Sequence, residues 1–154
     1  MIRRATFRDI DRLNDLLFQV QKIHADKRPD IFKQGAKKYT VRELETIIAD
    51  DRTPVFVYES DQGVQGYAFC IYRTTEENDQ LHRRRTLYID DLCVDQEARG
   101  RQIGTALYQH VRETAARTGC DSVTLNVWEV NPSAMAFYRK MGLSPLKTTM
   151  EYII

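Results

Sequence analysis

The 154-residue sequence is poor in residues that staple or stiffen a chain, with three cysteines, four prolines and seven glycines. Cys70, Cys93 and Cys120 lie far apart and are odd in number, which suits a reducing, cytoplasmic compartment better than a disulfide framework. None has metal-ligand spacing. Cys70 and Cys93 fall in apolar runs where a thiol packs as a small hydrophobe, so all three are read as structural and no metal is expected. No apolar stretch approaches the roughly 20 residues of a spanning helix, and Met1-Ile2-Arg3-Arg4 leads into a polar segment, not a signal-peptide core. Neither membrane nor export is expected. With 23 basic and 22 acidic residues the formal charge is +1, so no whole-molecule field favours nucleic acid or an anionic surface. Repeats, low-complexity tracts and linkers are absent too, and the length suits one domain spanning 1–154.

What is present alternates closely. Residues 2 to 7 read as a strand, and Thr6 with Asp9 resembles a capping box opening a helix that carries Ile10, Leu13, Leu17, Val20 and His24 on one face. Arg28-Pro29-Asp30 ends it, and a second helix is predicted over residues 40 to 50. Val55 to Tyr58 and Gly66 to Tyr72 form a hairpin around Ser60-Asp61-Gln62-Gly63. A polar loop, Thr74 to Arg85, leads to a strand from Thr86 to Val94. Ile103 to Thr118 is helical and stopped by Gly119. Ser122 to Trp128 is a strand, Asn131-Pro132 starts a helix ended by Gly142, and Thr148 to Ile154 is expected to close the sheet. The order implies an α/β protein with a mixed sheet, in which only the unit from Thr86 to Trp128 must be parallel, because its helix is a crossover.

Inside that crossover lies Ala98-Arg99-Gly100-Arg101-Gln102-Ile103-Gly104-Thr105-Ala106-Leu107. A tight turn at a helix N-terminus presents free amides and the positive end of the helix dipole, which suits a diphosphate. It is neither a dinucleotide fingerprint nor a P-loop, having only Gly100 and Gly104 and no Lys-Ser or Lys-Thr pair. It resembles the acyl-CoA signature of the GNAT N-acetyltransferase superfamily, Arg/Gln-x-x-Gly-x-Gly/Ala, through Arg99, Gly104 and the preceding Leu92-Cys93-Val94. Gln102 stands where the family most often has its first glycine, which matters if the position needs a positive φ. Asn131-Pro132-Ser133-Ala134-Met135-Ala136-Phe137-Tyr138-Arg139-Lys140-Met141-Gly142-Leu143 is similar to the family block Asn-x-x-Ala-x-x-Phe-Tyr-x-Lys-x-Gly-Phe.

The resemblance implies a mixed, mostly antiparallel sheet of six or seven strands, flanked by about four helices. Two central parallel strands, near 90 to 94 and 124 to 128, splay apart around the pantetheine arm of acetyl-CoA. It implies cofactor contacts at Leu92, Cys93, Val94, Arg99, Gly100, Arg101, Gln102, Ile103, Gly104, Thr105, Asn131 and Tyr138, with Lys140 a weaker phosphate candidate. It also implies Tyr138 as the acid that protonates the leaving thiolate. A tyrosine near pKa 10 is protonated at neutral pH and suits a thiolate whose conjugate acid lies near 8.5. Tyr88-Ile89-Asp90-Asp91-Leu92-Cys93-Val94 resembles the matching strand of spermidine/spermine N-acetyltransferases, which assigns amine deprotonation to Asp90. Asp91, Glu129 and an ordered water stay open for that role, and so does the non-catalytic reading in which both acids are solvated or paired with Arg83 to Arg85. Strand alternation puts Asp90 on the face of Leu92 and Val94, and Asp91 on the other.

The acceptor is expected to be a small-molecule amine, such as a polyamine or amino-acid-like amine, chosen by residues 20 to 40 and 74 to 85. His24, Asp30, Tyr39, Trp128 and Glu129 are candidates for its lining. A protein N-terminus or lysine, or an inactive CoA-binding module, are the alternatives. A homodimer is the assembly the resemblance suggests.

Overall fold

Nine regular elements alternate as expected in a computed structural model that describes residues 1–154. They are β1 (Ile2–Arg4), α1 (Ile10–Lys27), α2 (Val41–Ala49), β2 (Val55–Ser60), β3 (Gly63–Thr75), β4 (Arg84–Val94), α3 (Ile103–Arg117), β5 (Ser122–Leu125) and α4 (Pro132–Lys140). The sheet order is β1-β2-β3-β4-β5, antiparallel except for the parallel pair β4–β5 that the crossover helix α3 requires. No helix is long and apolar enough to cross a membrane.

Capping chemistry sets the helix starts. Thr6 and Asp9 form the expected box around a short 3-10 turn that feeds α1. Thr40 and Glu43 form a second box at α2, with Thr40 Oγ1 accepting from the Glu43 amide at 3.2 Å. The apolar faces then bury against both sides of the sheet. Leu13, Leu16, Leu17, Leu44 and Ile48 of the first two helices pack on Val55, Val57, Tyr67, Phe69 and Cys93. On the reverse side Ile103, Leu107, Tyr108 and Val111 of α3 pack on Phe56, Ala68, Cys70, Leu87 and Ile89. The α3 contact is close because β3 carries Gly66, where a Cβ would lie 2.9 Å from the Cys93 carbonyl and 3.1 Å from Leu107 Cδ1.

Four expectations are corrected. The sheet has five strands, not six or seven. β5 stops at Leu125 short of Trp128, and Thr148 to Ile154 joins no ladder. The tail instead runs beside the end of α1, where Glu151 Oε1 accepts from Arg28 Nη2 at 3.2 Å, and its apolar side chains stay exposed. The polar loop shrinks, since β3 and β4 remain paired out to Thr75 and Arg84. Arg73 over the Tyr88 ring (3.6 Å) and Arg85 over the Tyr72 ring (4.7 Å) hold this long ribbon together across the strands.

Asp9 is the buried polar anchor of the N-terminus, accepting from Arg3 Nη1 and Nη2 at 2.8 and 2.9 Å and from the Thr6 amide at 2.7 Å. The Arg3 guanidinium outweighs burial and holds the Asp9 carboxyl below the usual carboxylate range. Its contribution to stability is complete above the unfolded value of about 4 and is lost as pH falls through the depressed folded value. Asp9→Asn should therefore cost about 3 kcal/mol at neutral pH and flatten the acid limb of stability. Urea titrations at stepped pH check both.

Candidate active site

The site begins where two parallel strands part company. β4 and β5 pair from Thr86 and Ser122 as far as Ile89 and Leu125; β4 then continues to Val94 alone on that side. The Asp95 amide donates to the Gln65 carbonyl of β3 at 2.9 Å. Alternation along the strand therefore turns the amides of Val94 and Leu92 the other way, into the space β5 has vacated. Cys93, expected among the cofactor contacts, lies outside this row. Its backbone faces β3 and its thiol sits in the core, where burial pushes its pKa up to about 12.

The segment after Leu125 is held away from β4 by the end of α1. Lys27 Nζ donates to the Val130 carbonyl at 3.0 Å, and Phe32 meets the Trp128 ring edge-on at 5.2 Å. Asn131 then caps α4, its Oδ1 accepting from the Ala134 amide at 3.3 Å, so its expected approach to a cofactor is secondary to setting that helix. Phe137 of α4 packs on α3, its Cζ lying 3.5 Å from where a Gly104 Cβ would be.

At the mouth of the gap Asp95 caps a 3-10 turn, Gln96–Ala98, and is held by Arg12 of α1, whose Nη2 donates to Asp95 Oδ2. Arg99, Gly100 and Arg101 follow on the surface. Gly100 has φ 80° and Gln102 φ 59°, both left-handed. This places the amides of Ile103, Gly104 and Thr105 at the open end of α3, with no side chain capping them and no acidic residue in the first turn. The turn thus has the shape and polarity for a phosphate. The position taken by Gln102 does require positive φ, so the departure from glycine carries backbone strain. Arg101 Nη1 donates to Gln62 Oε1 at 3.3 Å, tying the turn to the β2–β3 hairpin.

The acidic pair lies at the other side of the gap. Phe69 pairs with Asp91 but Cys70 pairs with Ile89, so Asp90 is an extra residue, a β-bulge. The bulge reverses the alternation on which the sequence expectation rested. Leu87 and Ile89 before it, and Leu92 and Val94 after it, all face α3, whereas Asp90 and Asp91 both turn toward the loop between α1 and α2. Their partner is Lys38, with Nζ 3.1 Å from Asp90 Oδ2 and 3.4 Å from Asp91 Oδ2, and not Arg83 to Arg85. Tyr39 Oη donates to Asp90 at 3.2 Å and Tyr67 Oη to Asp91 at 3.3 Å. Burial lifts the Asp91 carboxyl above its usual range although Lys38 pulls it down. Burial works against the Lys38 charge, but Asp91, Tyr39 and Asp90 together raise its pKa. Tyr39 is pushed up to about 12, chiefly by burial. Tyr138 lies on α4; burial, then Asp91, raises its pKa, so its hydroxyl keeps its proton.

His24 stacks on Phe32 at 4.9 Å, and burial lowers its pKa, leaving it neutral. His24, Phe32 and Trp128 form one aromatic cluster, and Tyr39, Phe69 and Tyr67 form another that meets the acidic pair. Asp30 is part of neither, being held by Arg28 at 2.7 Å, and Glu129 and Lys140 are exposed. Lys38, Tyr67, Arg12 and Asp95 went unrecognised in the sequence; only the Asp-x-Glu turn pattern at Asp95 carries a local signal.

Relief of the strain at the helix entrance is measurable. Gln102→Gly should raise stability by about 1 kcal/mol, read as a higher Tm in thermal unfolding.

The sequence pattern of the acetyltransferase (GNAT) family matches residues 17–143. An uncharacterized N-acetyltransferase of Methanocaldococcus jannaschii, MJ1207, is 28% identical over 141 residues, which is 92% of this chain and 59% of that protein. The thialysine N-epsilon-acetyltransferase of Bos taurus is 36% identical over 62 residues, 40% of this chain and 36% of that enzyme. The chain thus spans well under two thirds of the length of both curated relatives. Among solved structures, a mutant of the BH1408 protein from Bacillus halodurans superposes with a TM-score of 0.96 at 28% identity, covering 100% of this chain and 99% of that one. The protein is a member of the acetyltransferase (GNAT) family.

Proposed function

We propose that the protein transfers an acetyl group from acetyl-CoA to the primary amine of a small molecule by direct attack in a ternary complex. The observation that carries this reading is the gap beyond Ile89 and Leu125, with free strand amides on its β4 side and the bare amide end of α3 at its mouth. A thioester carried on a diphosphate-bearing arm matches both. The amides of Ile103, Gly104 and Thr105, with the Gly100–Gln102 turn, hold the diphosphate, while Arg99 and Arg101 add cationic contacts. Val94 and Leu92 line the arm, and one of their amides donates to the thioester oxygen, stabilising the charge that develops there without reorganisation.

An incoming alkylammonium must lose a proton before its nitrogen can attack. Asp90 and Asp91 supply the acceptor for it; burial raises the pKa of Asp91, making it a stronger base than an ordinary carboxylate. The amine lone pair forms the new bond to the acetyl carbon, the nitrogen gives up its second proton to solvent, the carbon–sulfur bond breaks, and Tyr138 protonates the departing thiolate. A small, amine-bearing acceptor is supported by the aromatic clusters and the acidic pair, and by the similarity of 62 residues to enzymes named for thialysine.

The assembly in this reading is a homodimer. The outer edge of β5 is unpaired, and the tail after Leu143 exposes Leu146, Met150, Tyr152, Ile153 and Ile154. An extended tail with this apolar content, added to the β5 edge of a second copy, covers both liabilities in a two-fold arrangement.

Two outcomes follow. Acetyl-CoA raises the Tm of the wild type and of Tyr138→Phe alike, since backbone amides carry the binding, while thiol release with a panel of polyamines and amino-acid amines slows about 100-fold in the variant. No stabilisation by acetyl-CoA would sink the reading. Light scattering gives the mass of two chains, and deleting residues 145–154 returns it to one; a monomeric full chain removes the dimer.

A further inference from the structure

Lys38 is placed as an acceptor would be. It lies in the segment joining α1 to α2, yet that part of the segment is firmly seated. Tyr39 stacks on Phe69 at 5.9 Å and bonds to Asp90, and Thr40 is the cap of α2. The ε-ammonium therefore reaches the acidic pair from a fixed base, 3.1 Å from Asp90 and 3.4 Å from Asp91, with the Tyr39 ring 5.4 Å away. A third of the side chain remains exposed. Neighbouring Lys37, by contrast, is on the surface and joins no ion pair.

We propose that the Lys38 ε-amine occupies the subsite of the acceptor amine, and that the enzyme acetylates Lys38 when acetyl-CoA is bound without an acceptor. The inference rests on the acetyl-transfer reading above and adds both a modification site and the acceptor class, an amine on a flexible alkyl chain. In the step, the Lys38 ammonium gives a proton to Asp91. Its nitrogen forms the bond to the acetyl carbon and releases its second proton to solvent, the carbon–sulfur bond breaks, and the thiolate takes the Tyr138 proton. Asp91 then returns its proton to Tyr138 through solvent, so that lysine ammonium and acetyl-CoA become acetyl-lysine, CoA thiol and one released proton. The reaction is slow relative to a free acceptor, because the two carboxylates keep Lys38 protonated. The product has lost its charge, leaving Asp90 and Asp91 without their cation and the segment from Arg28 to Thr40 without its main polar tether to β4.

The test incubates the full chain with acetyl-CoA alone and follows each lysine by peptide mass mapping. Lys38 is acetylated first, well ahead of exposed Lys37 and Lys147, which report background chemical acetylation. Tyr138→Phe slows the Lys38 signal about 100-fold, the size of one general-acid contribution, and leaves Lys37 and Lys147 unchanged. Excess 1,5-diaminopentane suppresses the Lys38 signal by displacing it. Acetylation of Lys38 no faster than Lys37, or insensitive to Tyr138→Phe, overturns the proposal. Thiol release with added amines but an unmodified Lys38 overturns the inference and leaves the enzymatic reading standing, whereas no transfer to any amine removes both.

Discussion

A strand that outruns its neighbour leaves backbone amides that must find other partners, and most of the site follows from that constraint at β4. Up to Ile89 the strand is satisfied on both sides; from Asp90 to Val94 it is satisfied only by β3. Burying such amides without partners is costly, so the space beside them suits a ligand with its own carbonyl and amide groups. The surrounding elements keep that space from collapsing. Lys27 and Phe32 brace the chain after β5, and Asn131 caps α4 so that Phe137 packs over α3.

The bulge at Asp90 adds the chemistry. One extra residue lets a single strand keep its apolar side chains toward α3 throughout its length while bringing two successive carboxylates out on the opposite face. Two like charges so close are tolerable only with a cation and donors around them, and Lys38, Tyr39 and Tyr67 provide these. Burial leaves Asp91 a better proton acceptor than an ordinary aspartate, and burial likewise keeps Tyr138 protonated.

Much of this was legible in the sequence because it is local. Thr6 with Asp9 and Asn131 with Pro132 mark helix entrances through contacts spanning three residues, and the turn from Arg99 to Thr105 is contiguous, so its polarity can be read directly. The bulge was not legible, because it is decided by how Phe69 and Cys70 register against β4, twenty residues away; strict alternation then misassigned the faces of Asp90 and Asp91. Lys38 was missed for a similar reason, lying in an aperiodic connection 52 residues from Asp90. The tail carried a strand-like pattern of apolar residues, but a pattern becomes a strand only when it joins a ladder, and Thr148 to Ile154 joins none.

The Arg12–Asp95 ion pair gives α1 a double duty. Near its start this helix grips the residue that opens the phosphate turn, and at its far end it carries the segment bearing Phe32 and Lys38. Because the helix is a stiff rod of 18 residues, its two ends cannot shift independently. The turn before α3 and the segment bearing Phe32 and Lys38 are thus tied to one rigid element, so that a displacement of either is referred to the same rod.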